Sequence, residues 1–348
     1  MALANAVIED VDAVSHRLVA DLHTPRPWIF WTDLAVSAAI GWSALALAVL
    51  AAPFSTTMWT ATLVSALALY RGVCFTHELA HLQRRALPGF ETAWNLLFGV
   101  PLLLPSFTYL GVHQSHHSLS SYGTKEDPEY LPFASSRRLM VIFAIQSALL
   151  MPVALIVRFL LLAPIGLVLP ALHRWLETHA SSFAMNPEYR RSVSPEMATK
   201  MRRWELAMLA FWATALGGMY IGALPLRAVG LWLGVLTFVS LLNTVRVLGA
   251  HEYDSEGAIL SRQGQLSDSI DTPGGPWTEL WAPIGLRYHA LHHYFPGIPY
   301  HNLGVAYRRI VETLPRDAAY LESTSPGIRQ SLVVLYNKAT RAARAARG

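Results

Sequence analysis

The sequence predicts an all-α, multi-pass membrane protein in which two transmembrane hairpins carry a cytoplasmic helical cap. Three observations support this fold class. The 348 residues are 53% hydrophobic and only 14% charged, whereas a soluble domain has about 25% charged residues. Several apolar segments reach the length of about 20 residues that a spanning helix needs. The segments that follow them hold three tight histidine clusters, which read HELAH, HQSHH and HALHH.

The N-terminal part of the chain predicts a soluble segment and the first hairpin. Residues 1–27 lack a basic region followed by a short apolar core, so we expect a cytoplasmic N-terminal segment and no cleavable signal peptide. Residues 28–52 form the first predicted span, with Trp28 and Trp31 as interfacial anchors. After a short turn, residues 57–75 form the second span and lead directly into the first cluster.

The middle of the chain has a less regular pattern. Residues 94–110 are apolar but contain two prolines, so we expect a re-entrant or interfacial segment rather than a crossing. Residues 139–170 are also apolar and contain Arg158 and further prolines. This stretch fits either a tight hairpin or a pair of helices on the membrane surface. Residues 173–203 are polar and are expected to form a soluble loop.

The last third of the chain predicts the second hairpin and a polar tail. Residues 206–224 and 226–248 are apolar and are separated by Pro225. The chain then becomes polar and rich in turn residues, and it contains the third histidine cluster. We therefore expect a membrane domain over residues 28–310. Residues 311–348 are rich in Ala and Arg and predict a cytoplasmic tail with a solvent-facing amphipathic helix.

The distribution of basic residues indicates how the protein is oriented in the membrane. Arginine pairs lie in the segments that hold the clusters, whereas the opposite turns carry little besides Arg227. The positive-inside rule therefore places the clusters in the cytoplasm. The formal charge of +4 fits contact with anionic lipid headgroups better than nucleic acid, because no basic stripe interleaved with aromatics is present. The pairs are Arg84/Arg85, Arg137/Arg138, Arg202/Arg203 and Arg308/Arg309.

The three clusters predict a metal site with two ions. Neutral imidazole offers a nitrogen lone pair near pH 7, and residues three or four apart on a helix share a face. Eight imidazoles exceed what one tetrahedral zinc uses, and crowding them without metal would be unfavourable. The single cysteine, Cys74, excludes an internal disulfide or a Cys-based cluster within one chain. The eight are His77, His81, His113, His116, His117, His289, His292 and His293.

Other readings of the clusters remain open at this point. HELAH alone matches a zinc-protease motif in which Glu78 would be the general base, but that reading leaves the later clusters unexplained. Imidazole suits zinc, copper and iron, so the ligand type does not name the metal. A transporter or metal-storage protein is a non-enzymatic alternative. Transporters, however, tend to place ionisable residues in mid-bilayer, whereas these clusters follow the predicted spans.

The order H-x-x-x-H, H-x-x-H-H, H-x-x-H-H, with a hydrophobic hairpin before the third motif, resembles the membrane fatty acid desaturase and hydroxylase superfamily. The resemblance covers about residues 28–310 and includes stretches similar to bacterial desaturase-like members at 122–130, 243–253 and 280–304. It implies that the cluster histidines ligate two irons at the cytoplasmic face of a bacterial inner membrane. It also implies that O2 and two external electrons dehydrogenate or hydroxylate a lipid chain.

The resemblance also implies a ninth ligand, His251, just after the last predicted span. Asn243 precedes it by eight residues, where the family pattern has four, which leaves a metal role for Asn243 in doubt. We expect His301 to orient or pack near the site rather than to bind metal. The remaining histidines are expected to be solvated: His16, His23, His173 and His179.

Several charged residues are candidates for supporting the metal ligands. Carboxylates commonly hold ligand imidazoles in the correct tautomer. Arg246 lies near the end of the last predicted span and could meet a lipid headgroup, but we expect it to pair with Glu252. The carboxylate candidates are Glu78, Asp127, Glu252, Asp268 and Asp271.

The predicted function is O2-dependent di-iron desaturation of a fatty acyl chain that reaches the site from the membrane. Hydroxylation or ketolation of a lipid, alkane or carotenoid on the same site is the alternative, because the motifs do not separate these outcomes. No HPGG haem-domain signature is present. Electrons are therefore expected from a separate ferredoxin, rubredoxin-like or cytochrome-type donor, and an acidic donor would suit the basic cytoplasmic face.

Overall fold

The computed structural model describes residues 14–83, 85–315 and 318–345. The expectations for residues 1–13 and for Arg84 therefore lie outside the described residues. The described chain is helical and contains no β-strand. Its main helices are α1 (Pro27–Leu50), α2 (Thr56–His81), α3 (Val112–His116), α4 (Arg137–Val168), α5 (Pro170–His179), α6 (Pro195–Tyr220), α7 (Arg227–Leu248), α8 (His289–Tyr294), α9 (Tyr300–Thr313) and α10 (Ile328–Ala345).

Four described helices are long and apolar enough to cross a membrane, namely α1, α2, α4 and α7. This confirms an all-α, multi-pass membrane protein. Helices α1 and α2 form the expected first hairpin, in which the Ser55 side chain caps α2 by accepting from the Met58 N–H at 3.2 Å. Helix α2 continues past residue 75 as far as His81. The first histidine cluster is therefore part of this long helix and shares its rigidity.

Helix α4 corrects the expectation for residues 139–170, because the stretch is one continuous helix and neither a hairpin nor a helix pair. Pro152 and Pro164 are each the second residue of an α-helical stretch that follows a π-helical turn. In a regular α-helix, each proline ring would clash with the carbonyl four residues earlier. The wider π turns accommodate both rings, so the prolines do not end the helix.

After α4 the chain returns to the side of the histidines before α6 begins. The N–H of Phe183 donates to the Thr108 carbonyl at 2.9 Å, and the N–H of Met185 donates to the Pro128 carbonyl at 2.8 Å. Both carbonyls flank the second histidine cluster in sequence. A joint histidine site requires this return, which the sequence left undecided.

The soluble loop expected over residues 173–203 is largely wrong. Helix α5 extends to His179, and α6 begins at Pro195, so only 180–194 lacks a helix. The Ser194 side chain caps α6 by accepting from Met197 N–H at 3.2 Å, and proline is favoured in the first turn. Met201, an apolar residue within this polar stretch, is buried on α6. Its burial stabilises the first turns of the helix.

The segment at 90–110 is broken, as expected, and is buried between the long helices. A short helix runs from Phe90 to Trp94, a π turn follows at Asn95–Gly99, and the remainder consists of turns. Irregular backbone at membrane depth needs partners for its polar groups. Three indole N–H groups from α1, α6 and α7 donate to its carbonyls: Trp42 to Leu97, Trp212 to Val100, and Trp232 to Pro101.

The C-terminal helix is amphipathic, as expected, but it does not simply face solvent. Helix α10 buries Leu335 and Ala339 and packs on the cap. Lys338 on the same helix lies 2.6 Å from Glu252 and 2.5 Å from Asp254. These carboxylates follow His251 closely, so the tail contacts the loop that carries the ninth predicted ligand.

Candidate metal centre

The structure brings all nine predicted histidines together from four parts of the chain. Helix α2 supplies two of them, the second cluster and α8 supply three each, and the loop after α7 supplies His251. Within each of two groups, the candidate ligand atoms lie within 4.8 Å of one another. The first histidine group contains His77, His81, His113, His117 and His292, and the second histidine group contains His116, His251, His289 and His293.

The division into two groups runs through the clusters rather than between them. His113 and His117 belong to the first group, whereas His116 belongs to the second. In α8, His289 and His293 serve the second group and His292 serves the first. Residues four apart lie on one face of a helical turn and the intervening residue points elsewhere. Each H-x-x-H-H cluster therefore bridges the two groups and holds them side by side.

Distances between the imidazole nitrogens fit two metal ions. Two nitrogens bound about 2.1 Å from one ion at a right angle lie about 3.0 Å apart. In the first group, His81 Nε2 lies 3.0 Å from His292 Nε2. In the second group, His289 Nε2 lies 2.8 Å from His251 Nε2 and 3.1 Å from His293 Nε2. Both nitrogens of His77 are buried without a hydrogen-bond partner among the described residues, which leaves a lone pair for a metal.

The protonation states favour metal binding outside the membrane-spanning helices. Burial, reinforced by repulsion from neighbouring imidazoles, lowers the pKa values of six histidines well below the ordinary range: His113, His117, His251, His289, His292 and His293. They are neutral at pH 7 and keep a free lone pair. Burial would also lower the pKa of His116, but the Asp127 carboxylate outweighs it and the pKa is raised.

Carboxylates and a tyrosine orient two imidazoles of the second histidine group. His116 Nδ1 lies 3.0 Å from Asp127, as the sequence suggested. His251 Nδ1 lies 2.9 Å from the Tyr122 hydroxyl, which donates to Asp268 at 2.8 Å. Asp268 therefore reaches His251 chiefly through a tyrosine. In both imidazoles the Nδ1 contact leaves the other nitrogen, Nε2, available to a metal ion in the second group.

Glu129 is a supporting carboxylate that sequence reasoning missed. Its Oε1 lies 3.0 Å from His113 Nδ1, and the Tyr109 hydroxyl lies 2.9 Å from the same nitrogen. Burial raises the pKa of Glu129 to about 7. Its position two residues after Asp127 was the available signal, since both carboxylates lie in the turn that follows the second cluster.

The remaining candidates have other partners. Glu78 accepts from the Tyr300 N–H at 3.0 Å, and Asp271 accepts from the Leu291 N–H at 3.1 Å. Glu252 contacts Lys338 and no histidine, so it supports the loop and not a ligand.

The expected pairing of Arg246 with Glu252 is wrong. The Arg246 guanidinium instead donates to Asn243 Oδ1 at 3.0 Å. Asn243 is exposed on α7 and belongs to neither histidine group. Arg246 therefore does not pair with Glu252, and Asn243 is not a member of either histidine group.

The five other histidines lie outside both groups. His301 Nε2 accepts from the Arg26 N–H at 3.1 Å, which matches a packing role. His173 is half-buried and lies 3.2 Å from Glu177, so it is less solvated than expected. The other three are exposed, as expected: His16, His23 and His179.

Two cavities approach the first histidine group from different sides. An apolar cavity of about 160 Å³ runs from His77 between α2, α4 and α7 to Asn243. A more polar cavity of about 290 Å³ reaches His81 and Glu78. The apolar cavity has the lining that a hydrocarbon chain requires, and it opens beside helices that qualify as membrane spans.

Comparison with known proteins agrees with this geometry. Residues 53–324 match the fatty acid desaturase family. A ceramide hydroxylase of Caulobacter vibrioides is 38% identical over 325 residues, which cover 92% of each chain. The matched region contains all three histidine clusters and His251.

Proposed function

We propose that this oxidoreductase, which belongs to the fatty acid desaturase family, hydroxylates a ceramide-type lipid with O2 at a di-iron centre. The observation that carries the proposal is the 38% identity to a ceramide hydroxylase over 92% of both chains. The histidine motifs are shared by desaturases and hydroxylases, and the sequence alone predicts desaturation with hydroxylation as the alternative. The relative's activity supports the alternative that was open on the same site.

The nine clustered histidines are the proposed iron ligands, five for one ion and four for the other. Imidazole suits iron, and the spacing of the nitrogens described above fits two ions. When bound, the two irons would supply the oxidising power needed to attack an unactivated C–H bond. The balanced reaction is R–H + O2 + 2 electrons + 2 protons → R–OH + H2O. One oxygen atom enters the lipid and the other leaves as water.

The protein's own residues supply position and exclude water. Asp127, Glu129 and Tyr122 orient ligand imidazoles through Nδ1. The apolar cavity between α4 and α7 admits a hydrocarbon chain beside His77 and keeps bulk water away. The substrate reaches this cavity laterally from the membrane, because its walls are helices with the length and composition of spans.

Electrons come from a separate protein in this proposal. A ferredoxin, rubredoxin-like or cytochrome-type donor would dock at the cytoplasmic face of the inner membrane, where the positive-inside rule places the arginine pairs. An acidic donor would match the charge of this face.

Lipid profiling tests the proposal. Cells that contain ceramide and express the wild-type chain should accumulate a ceramide with one additional oxygen atom, and ¹⁸O2 should label it. His293→Ala should abolish the product with expression unchanged, whereas His179→Ala, on the exposed surface, should retain it. Loss of two hydrogens without added oxygen would show desaturation instead. A single zinc per purified chain would refute the di-iron site.

A further inference from the structure

Arg246 is a cation without an ionic partner among the described residues. It lies in the last turn of α7 and is half-buried, and no described carboxylate lies within the 4.0 Å of an ion pair. Its guanidinium donates to the Asn243 side chain, at 3.0 and 3.3 Å, and its other neighbour is the neutral Tyr70 hydroxyl. The half-buried carboxylate of Glu129 attracts Arg246 through its charge, but its hydrogen bonds go to His113 and Tyr109. A half-buried guanidinium with five N–H donors and only neutral hydrogen-bond partners retains hydrogen-bonding capacity for a ligand.

The position of Arg246 sets it apart from an arginine that merely extends to water at a membrane surface. It lines the apolar cavity together with Asn243 and Ser240. It also lines a smaller cavity of about 20 Å³ whose walls include His77, His113, His116, His251 and His289. A polar group bound by Arg246 would therefore lie next to both histidine groups.

We propose that Arg246 and Asn243 bind the polar headgroup of the lipid and thereby direct hydroxylation to the first carbons beyond that headgroup. This inference rests on the proposed function and adds the headgroup site and the regiochemistry. The amide and hydroxyl oxygens of a ceramide accept hydrogen bonds from a guanidinium. The Asn243 amide can both donate and accept.

The same placement determines where the hydrocarbon lies. The remainder of the apolar cavity is lined mainly by apolar side chains, including Phe143 and Met151 of α4 and Val239 of α7. A headgroup held at Arg246 leaves the distal part of the chain in this apolar section. Because Arg246 shares a cavity wall with five of the clustered histidines, the C–H bonds nearest the headgroup are the ones presented to the metals. Carbons in the middle of the chain lie farther along the cavity.

Binding and product mapping test this inference on the full-length protein in phosphatidylcholine nanodiscs. The iron-free protein is titrated with a fluorescent ceramide, and the iron-loaded enzyme is given ceramide, O2 and reductant. The variants are Arg246→Met, Arg246→Lys and Asn243→Leu. The matched control is Arg174→Met, an exposed arginine on α5 that lines neither cavity.

Arg246→Met should weaken ceramide binding by about 10- to 100-fold, as expected for loss of a charge-assisted hydrogen bond. It should raise KM more than it lowers kcat and should scatter the hydroxyl group along the chain. Arg246→Lys should restore part of the affinity, and Arg174→Met should match the wild type. A straight-chain alkane, which has no polar headgroup for the guanidinium to bind, should be insensitive to the substitution.

Three outcomes would overturn the inference. The first is unchanged binding and unchanged hydroxyl position in Arg246→Met. The second is loss of iron in that variant, which would assign Arg246 to charge balance near Asp127 and Glu129. The third is competition by phosphatidylglycerol at the same site, which would identify a phosphate-binding arginine. Failure of the proposed function is a separate result: the wild type would form no oxygenated ceramide, while the iron-free titration would still report on the headgroup site.

Discussion

Tyr320→Phe tests whether Tyr320, which lies between α9 and α10, holds the second histidine group in place. The Tyr320 hydroxyl donates to Asp271 Oδ2 at 2.5 Å, and Asp271 Oδ1 accepts from the Leu291 N–H at 3.1 Å. Leu291 lies in α8 between His289 and His293, two of the four members of the second group. Removing one hydroxyl should therefore loosen the helix that carries half of that group.

The expected magnitude follows from the burial of this link. Asp271 is completely buried and Tyr320 is 4% exposed, so water cannot replace the lost hydrogen bond. A hydrogen bond to a charged group contributes about 1.5–3 kcal/mol. Burial raises the pKa of Asp271 to about 7, and the Tyr320 hydrogen bond lowers it. Its loss moves the carboxyl towards the protonated form, which holds the Leu291 N–H more weakly. Since supporting residues change metal affinity by about 10- to 100-fold, we expect about tenfold at the second group.

Chelator titration with iron analysis measures this effect. Tyr320→Phe should lose one of its two irons at a lower chelator concentration than the wild type, while the other iron is retained. Tyr336→Phe is the control, because its hydroxyl accepts from Arg137 at 3.4 Å on the exposed side of α10. Equal iron retention in Tyr320→Phe and the wild type would refute the reasoning. Simultaneous loss of both irons would show that Tyr320 acts only through the overall stability of the protein.

Four further predictions concern ligand support, stability, pH and the donor. Asp127→Asn weakens the acceptor at His116 Nδ1 and should reduce iron affinity by about 10- to 100-fold, whereas Asp254→Asn at the surface should not. Trp232→Phe leaves the Pro101 carbonyl without its 3.0 Å donor and should lower the free energy of unfolding by about 1–3 kcal/mol, measured by thermal unfolding in detergent with iron content unchanged. Lowering the pH from about 7.5 to about 5.5 should destabilise the iron-free protein. Six histidines of the two groups have folded pKa values below the unfolded value, so their contribution to stability is lost as the pH falls below the unfolded value. His116 and three carboxyls, whose pKa values are raised, oppose this effect but are fewer. A melting temperature that rises on acidification would contradict it. With a purified acidic donor, the reaction rate should fall as salt increases, and an undiminished rate would exclude electrostatic docking.

The long apolar helices could be predicted because a membrane span is recognised from its length and apolar composition alone. Helices α1, α2 and α7 lie close to the expected spans. Helix α4 could not be predicted, because whether Pro152 and Pro164 end a helix depends on the π turns that precede them. The start of α6 was missed for a related reason. Its first turns are polar, and their helical state follows from the burial of Met201 in the main core and from the hydrogen bond of the Ser194 side chain to the helix N-terminus.

The supporting residues show the same limit. Asp127 was predicted because a carboxylate near a histidine cluster commonly orients an imidazole, and it lies 3.0 Å from His116. Glu129 and Tyr122 were missed, since their side chains reach His113 and His251 only after the turn and the loop are folded against each other. The partner of Glu252 also depended on the fold, because Lys338 is 86 residues away in the chain.

The sequence by itself determined the helical membrane fold and the eight clustered histidines, because apolar length and helical spacing are local properties of the chain. His251 was predicted only through the family resemblance. The tertiary structure decided how those histidines are shared. His116 and His292 belong to different groups from their nearest neighbours, since each H-x-x-H-H turn presents imidazoles in two directions and only the packing of α2, α3, α8 and the His251 loop determines where they converge. The fold likewise placed Arg246 in the wall of the apolar cavity, because its surroundings come from segments far apart in sequence.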